Sequence, residues 1–300
     1  MTSGYYGRPV LKAPVWKPAI AWYFFTGGLA GASSSLALAA RLAGNHRLAR
    51  SALVASAVGI AVSGPLLVVD LGRPARFLNM LRVAKPTSPM SVGSWLLAVF
   101  GPASAAAAAS ELTGRVPRLG RIGAAAAGGL GPAVATYTAV LVADTAIPAW
   151  HESHRELPFI FAGSAAASAA GAALAFTAVD AAAPARRLAV TGAALELGAF
   201  RAMEWRLGDL AGPYRDGTAG KLAKAAEATT AAGALLVSVA GRRRPTAVAA
   251  GALLCAGSAL VRFSVFRAGF ESAADPAATI APQRRRAAAA SDGRELPSTS

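Results

Sequence analysis

Metal-binding side chains are nearly absent. The 300 residues hold one cysteine, Cys255, and three histidines, His46, His151 and His154. One thiolate cannot hold an iron–sulfur cluster or close an internal disulfide. A transmembrane b-type haem takes axial ligands from within helices, and all three histidines fall in polar stretches between apolar runs. A haem-based quinol oxidase is thereby excluded. His151 and His154 stand three apart around Glu152, but two loop histidines make a weak metal site, and no metal is expected. Charge is also scarce, at 15% of residues. The net charge of +15 comes from arginines scattered through loops and tails, not from one face, which argues against a nucleic-acid partner. Basic loops facing anionic lipid are the ordinary explanation.

What is abundant is apolar length. Hydrophobic residues make up 54% of the chain. They gather into eight runs, at about 19–40, 51–71, 91–111, 122–144, 157–179, 187–203, 222–240 and 246–268. About 20 apolar residues match the hydrocarbon thickness of a bilayer. Residues 1–18 are polar, carry Arg8, Lys12 and Lys17, and do not read as a cleavable signal. The runs are rich in Ala and Gly, which let helices approach closely in lipid. Pro65, Pro102 and Pro132 lie inside runs and should kink them or free a carbonyl.

Loops 41–50, 112–121, 180–187 and 241–245 hold 11 Lys/Arg in 33 residues, against 8 in 49 for loops 72–90, 145–156 and 204–221. The positive-inside rule places the first set in the cytoplasm and both termini outside. A faint repeat sets Phe25 and Arg50 against Phe161 and Arg187, at offsets of 136 and 137. The expectation is an all-α integral membrane protein, multi-pass in the plasma membrane, with eight transmembrane helices in two four-helix bundles. The bundles would be 19–144 and 157–270, joined by loop 145–156. Residues 1–18 would form an outer-face segment and 271–300 a polar, disordered tail.

Ionisable groups in or beside the runs are the candidates for chemistry: Asp70, Asp144, Glu196, Arg201, Glu204, Lys224, Glu227 and Arg262. A charge at mid-bilayer is costly unless paired or hydrated. Two readings stay open, buried ion pairs that lock the bundle and a proton route to a redox site. Arg262 is expected to pair with Glu196 or Glu227. Aromatics gather toward one edge. Trp16 and Trp22 suit an interfacial belt, whereas the Tyr137 hydroxyl lies deep enough to need a buried partner. A quinone carbonyl is one candidate, with Tyr23 across from Tyr137 and Trp150 and His151 at the rim.

Two motifs then carry a resemblance. Asp70-Leu71-Gly72-Arg73-Pro74-Ala75-Arg76-Phe77 is followed by Ser88-Pro89-Met90-Ser91-Val92-Gly93-Ser94-Trp95. Together with Tyr137-Thr138-Ala139-Val140-Leu141 and Ile147-Pro148-Ala149-Trp150, they resemble the NrfD / polysulfide-reductase membrane-subunit family over most of residues 5–276. The resemblance implies eight helices in two bundles, with no haem or iron–sulfur cluster in this chain. It implies an iron–sulfur partner subunit and a molybdopterin catalytic subunit, with electrons exchanged through menaquinone or ubiquinone. Such a subunit is not catalytic alone. The family's pocket uses polar residues at the start of helix one and a tyrosine late in helix four. Tyr137 matches the tyrosine, while helix one offers Trp22, Tyr23 and Thr26 and no histidine. The competing functions are a passive anchor and a secondary transporter, for which Gly-Pro pairs inside the runs could supply broken helices.

Overall fold

The computed structural model describes residues 11–71, 75–276 and 278, the side chains of residues 75, 77 and 78 excepted. Among them there is no strand. The helices are α1 (Ala19–Leu42), α2 (His46–Leu71), α3 (Ala75–Met80), α4 (Pro89–Thr113), α5 (Pro117–Ala143) and α6 (Pro148–Glu152). After these come α7 (Leu157–Phe176), α8 (Ala183–Leu207), a 3₁₀ turn (Gly208–Ala211), α9 (Gly212–Arg215), α10 (Gly217–Ala240) and α11 (Arg244–Ala274).

Six of these, α2, α4, α5, α7, α10 and α11, are long and apolar enough to cross a bilayer. Helices α1 and α8 have the length, at 24 and 25 residues, but fall outside that set. Helix α1 carries Thr26, Ser33, Ser34 and Ser35, and α8 carries Arg186, Arg187, Glu196, Arg201 and Glu204. Much of that polarity turns inward: Thr26, Ser33, Ser34 and Glu196 are buried.

Two expected boundaries move. Helix α11 continues to Ala274, into the stretch expected as tail, because Ser272 and Ala273 are buried against the rest of the fold. His46 opens α2 instead of lying in a loop. The remainder of the expected tail, from 279 on, lies outside the described residues, as do residues 1–10 and Gly72, Arg73 and Pro74.

Helix α1 packs on α2, α5 and α7, and α4 packs on α5 and α2. Helix α7 packs on α8 and α11, and α10 on α11 and α8. Small residues permit the closest crossings. A Cβ on Gly31 would stand 2.9 Å from the Ala135 amide nitrogen and 3.1 Å from Val134 Cβ, so α1 and α5 meet backbone to backbone. Pro132 lacks the N–H that would serve the Gly128 carbonyl four residues back. The Ser35 hydroxyl of α1 donates to that carbonyl instead, at 2.9 Å, and Ser34 donates to Ala127 at 2.9 Å. The break therefore becomes a helix–helix contact.

The two loop sets fall at opposite ends of the molecule. Arg41 pairs with Glu111, Arg47 with Asp180 at 2.9 Å, and Asn45 donates to Ala181 O at 2.8 Å. These contacts gather the basic loops at one end. At the other end the Lys17 amide donates to Asp70 Oδ1 at 2.7 Å. There Arg206 also makes a two-pronged bond to Glu156 at 2.5 and 2.6 Å.

Candidate functional site: a tyrosine cleft

The first site is built at the Asp70 end by α1, α2, α4 and α5. Ser88 caps α4 by accepting from the Ser91 amide at 3.4 Å, with Pro89 in the first turn, where no N–H is required. The Ser91 hydroxyl donates to Val83 O at 2.7 Å and accepts from the Lys85 amide at 3.0 Å, while Trp95 Nε1 reaches Val83 O at 3.3 Å. These bonds fold residues 83–88 onto the head of α4. Gly93 has a separate role. A Cβ there would overlap the Tyr137 ring, standing 2.8 Å from Cδ2 and 3.3 Å from Cζ. The missing side chain of Gly93 is the slot that Tyr137 occupies.

Tyr137, less than two turns from the end of α5, and Tyr23, in the second turn of α1, line one cleft of about 90 Å³. Trp16, Asp70, Met80, Met90, Ser94 and Leu97 complete its wall. A second, adjoining space of about 250 Å³ shares Tyr23, Leu67 and Leu97 and continues along Ile60, Gly64, Val68 and Gly101. It is apolar apart from Ser63 and the Tyr23 ring. A Cβ on Gly64 would meet nothing within 4 Å, so this stretch opens onto the outer surface of α2 and α4.

Among the described residues neither the Tyr23 nor the Tyr137 hydroxyl has a hydrogen-bond partner. Tyr214 shows the contrast. Its hydroxyl donates to Ala149 O at 3.0 Å and accepts from Ser153 at 3.2 Å, and burial pushes its pKa above the ordinary value. That tyrosine is a structural tie between α9 and α6. Phenols facing a cleft without a partner are donors left for a ligand.

The expected rim residues lie elsewhere. Trp150 is 1% exposed, donates Nε1 to Val265 O at 2.6 Å, and stacks on Trp16 at 5.2 Å. It stands one ring behind the cleft and braces Trp16, which does line it. His151 is exposed beside His154, with ring centroids 6.0 Å apart, and does not line the cleft. Asp144 is the exposed residue that caps the C-terminus of α5, also away from the cleft. The sequence reading missed the role of Trp16, assigned there to the interfacial belt, because stacking between residues so far apart in sequence leaves no local signal. It missed Gly93 for the same reason, although the residue stood inside a motif it had marked.

The second polar site is sealed within α7, α8, α10 and α11. Arg262 is fully buried and Glu196 is 2% exposed. Arg262 Nη2 donates to Phe161 O at 2.7 Å, and the guanidinium lies 3.7 Å above the Phe161 ring centroid. Glu196 Oε1 accepts from Thr230 at 2.9 Å. Glu196 Oε2 and Arg262 Nε and Nη1 have no partner. The expected ion pair of Arg262 is corrected. Glu227 pairs with Arg201, which also holds Glu204 at 2.9 Å. Among the described residues no carboxylate comes within ion-pair distance of Arg262. The cause is helix register: Glu227 and Arg201 meet across the exposed α8–α10 seam, while Arg262 points from α11 into the centre. A void of about 10 Å³ lined by Glu196, Phe200, Val261, Arg201 and Glu227 adjoins the Glu196 side of the site, close to the space one water requires. Among the described residues no group of three or more His, Cys, Asp or Glu side chains could hold a metal ion.

Bilayer-length apolar helices around inward-facing polar side chains define a multi-pass membrane protein. Residues 10–190 match the family model described as polysulphide reductase, NrfD, and the chain belongs to that family. The matched range includes Tyr23, Asp70, Gly93, Tyr137 and Trp150, whereas Glu196 and Arg262 lie beyond it. No curated protein matches the chain. The family is one of membrane subunits of redox complexes.

Proposed function

We propose that this protein exchanges electrons between a quinone, menaquinone or ubiquinone, and an iron–sulfur partner subunit that serves a molybdopterin catalytic subunit. In this reading all eight long helices span the plasma membrane as two four-helix bundles, with the tyrosine cleft and both termini at the outer face. The observation that carries it is the cleft itself. Two phenol hydroxyls without protein partners face a space that continues as an apolar groove onto the lipid-facing surface of α2 and α4. That combination suits a ligand with a polar head and a hydrocarbon tail.

A bound quinone supplies the two-electron, two-proton chemistry. Tyr137 and Tyr23 donate hydrogen bonds to its oxygens, and such bonds strengthen as negative charge develops on the acceptor. Gly93 and the braced Trp16 fix the positions of the rings, so the donors need little reorganisation. Asp70, held through Oδ1 by the Lys17 amide, stands in the cleft wall at the helix ends. There its carboxylate can pass protons between the cleft and water.

Tyr137→Phe keeps the ring in its slot and removes one donor. A hydrogen bond to a charged partner contributes about 1.5–3 kcal/mol, so quinone-linked turnover of the purified complex should fall roughly tenfold to a hundredfold. The iron–sulfur subunit should still copurify. Turnover at the parental rate would remove Tyr137 from the site and favour a passive anchor.

A further inference from the structure

Another cleft in the molecule is remote from the tyrosines. It has a volume of about 890 Å³ and lies at the basic end, where α8 begins and α10 gives way to α11. Four arginines line it, Arg186 and Arg187 from the first turns of α8 and Arg242 and Arg243 from the turn before α11. Val190, Val237, Val239 and Thr191 also line it.

The arginines are not neutralised locally. The acids at this end are already engaged, Asp180 with Arg47 and Glu111 with Arg41. Among the described residues Arg187, Arg242 and Arg243 have no acidic partner, and all three are exposed. Arg186 is tied by Nη1 to Val179 O at 2.9 Å. Arg244, next in the chain, turns away to the carbonyls of Leu174 at 3.0 Å and Thr177 at 2.9 Å. The cleft thus presents a concave cluster of positive charge, with aliphatic side chains beginning one turn deeper along the helices.

We propose that this cleft binds an anionic phospholipid, its phosphodiester held by Arg187, Arg242 and Arg243 and its acyl chains lying along Val190 and Val239. Charge complementarity selects the headgroup, and guanidinium groups match phosphate oxygens with paired N–H donors. The valines select a lipid over a soluble phosphate. Basic pockets between membrane helices are a known kind of lipid site. The inference rests on the membrane reading and is independent of the quinone.

The test is native mass spectrometry of the purified full chain in detergent, titrated with phosphatidylglycerol or with phosphatidylcholine of the same acyl chains. The parental protein should retain phosphatidylglycerol at least tenfold better. Each arginine near a charged surface contributes roughly fivefold, so R187Q should give a partial loss. R187Q/R242Q/R243Q should abolish the preference. R115Q/R118Q/R121Q removes the same charge from another loop at this end and should leave binding intact. Equal loss in that control, or equal retention of phosphatidylcholine, overturns the proposal. Displacement of the lipid by millimolar inorganic phosphate also overturns it, in favour of a soluble-anion site. Matching thermal unfolding of the two triple variants shows that both remain folded. Tyr137→Phe should bind the lipid normally, so the quinone and lipid readings fail separately.

Discussion

The first four long helices and the last four handle buried polarity in opposite ways. Helices α1, α2, α4 and α5 leave an open cleft and line it with neutral phenols, which cost little to place near lipid. Helices α7, α8, α10 and α11 close over a carboxylate and a guanidinium that share neither an ion pair nor a full set of hydrogen bonds. Helix α7, which supplies Phe161 beneath Arg262, has the most buried apolar window of the six spanning candidates. A ligand site in the interior of the bundle needs unspent donors that something can reach, and of the two interiors only the first faces a cleft with them. The unspent donors inside the second region belong to Arg262, which is fully buried.

Breaking the sealed side should have the largest effect. Arg262→Ala removes the Phe161 carbonyl bond and the cation–π contact and leaves Glu196 uncompensated. Loss of one member of a buried charged set costs about 3–5 kcal/mol, so little folded protein should survive, as read by fluorescence-detected size exclusion. Adding Glu196→Gln, which can keep the Thr230 bond, should recover part of the yield. No recovery would mean that Glu196 does not sense Arg262.

On the open side, Gly93→Ala sharpens the comparison. The new Cβ must displace the Tyr137 ring, and overpacking of this kind costs about 1–3 kcal/mol. Quinone-linked turnover should fall at least as far as in Tyr137→Phe, with a lower melting temperature besides. An unchanged turnover would show that the ring position is immaterial.

Ser35→Ala leaves the Gly128 carbonyl, freed by Pro132, without its donor. Interhelical hydrogen bonds in membranes average about 0.6 kcal/mol, so unfolding in a denaturing detergent should shift slightly, with turnover unaffected. The smallest effect belongs to Arg47→Gln. Its ion pair with Asp180 is 71% exposed on both sides, and such pairs contribute between about 0 and 1 kcal/mol. A melting shift beyond a few degrees would mean that the basic end carries more of the fold than its surface pairs suggest.

Much of this was legible in the chain. Apolar runs of bilayer length announce the helices, because in lipid every backbone group must be satisfied within its own segment. Tyr137 could be marked by its depth in an apolar run and by the family motif, and Tyr23 only by its position on helix one. The alternation of basic loops anticipated two opposite ends, since neighbouring spans run in opposite directions. Partners could not be read. Glu196, Glu227, Arg201 and Arg262 were all visible as costly charges, yet which meets which depends on how α8, α10 and α11 are rotated about their axes. In Ala- and Gly-rich helices the apolar pattern leaves that rotation nearly free.

The sequence alone thus determined a helical membrane protein, its loop polarity and its polar candidates, because hydrophobic length and charge placement are local quantities. Only the tertiary structure decided that Gly93 shapes the seat of Tyr137, that Trp16 and not Trp150 walls the cleft, and that Arg262 rests on Phe161. Those outcomes depend on which small residues face each other across helices. Close packing over distances of a few ångströms settles that, and it leaves no periodic mark in the chain.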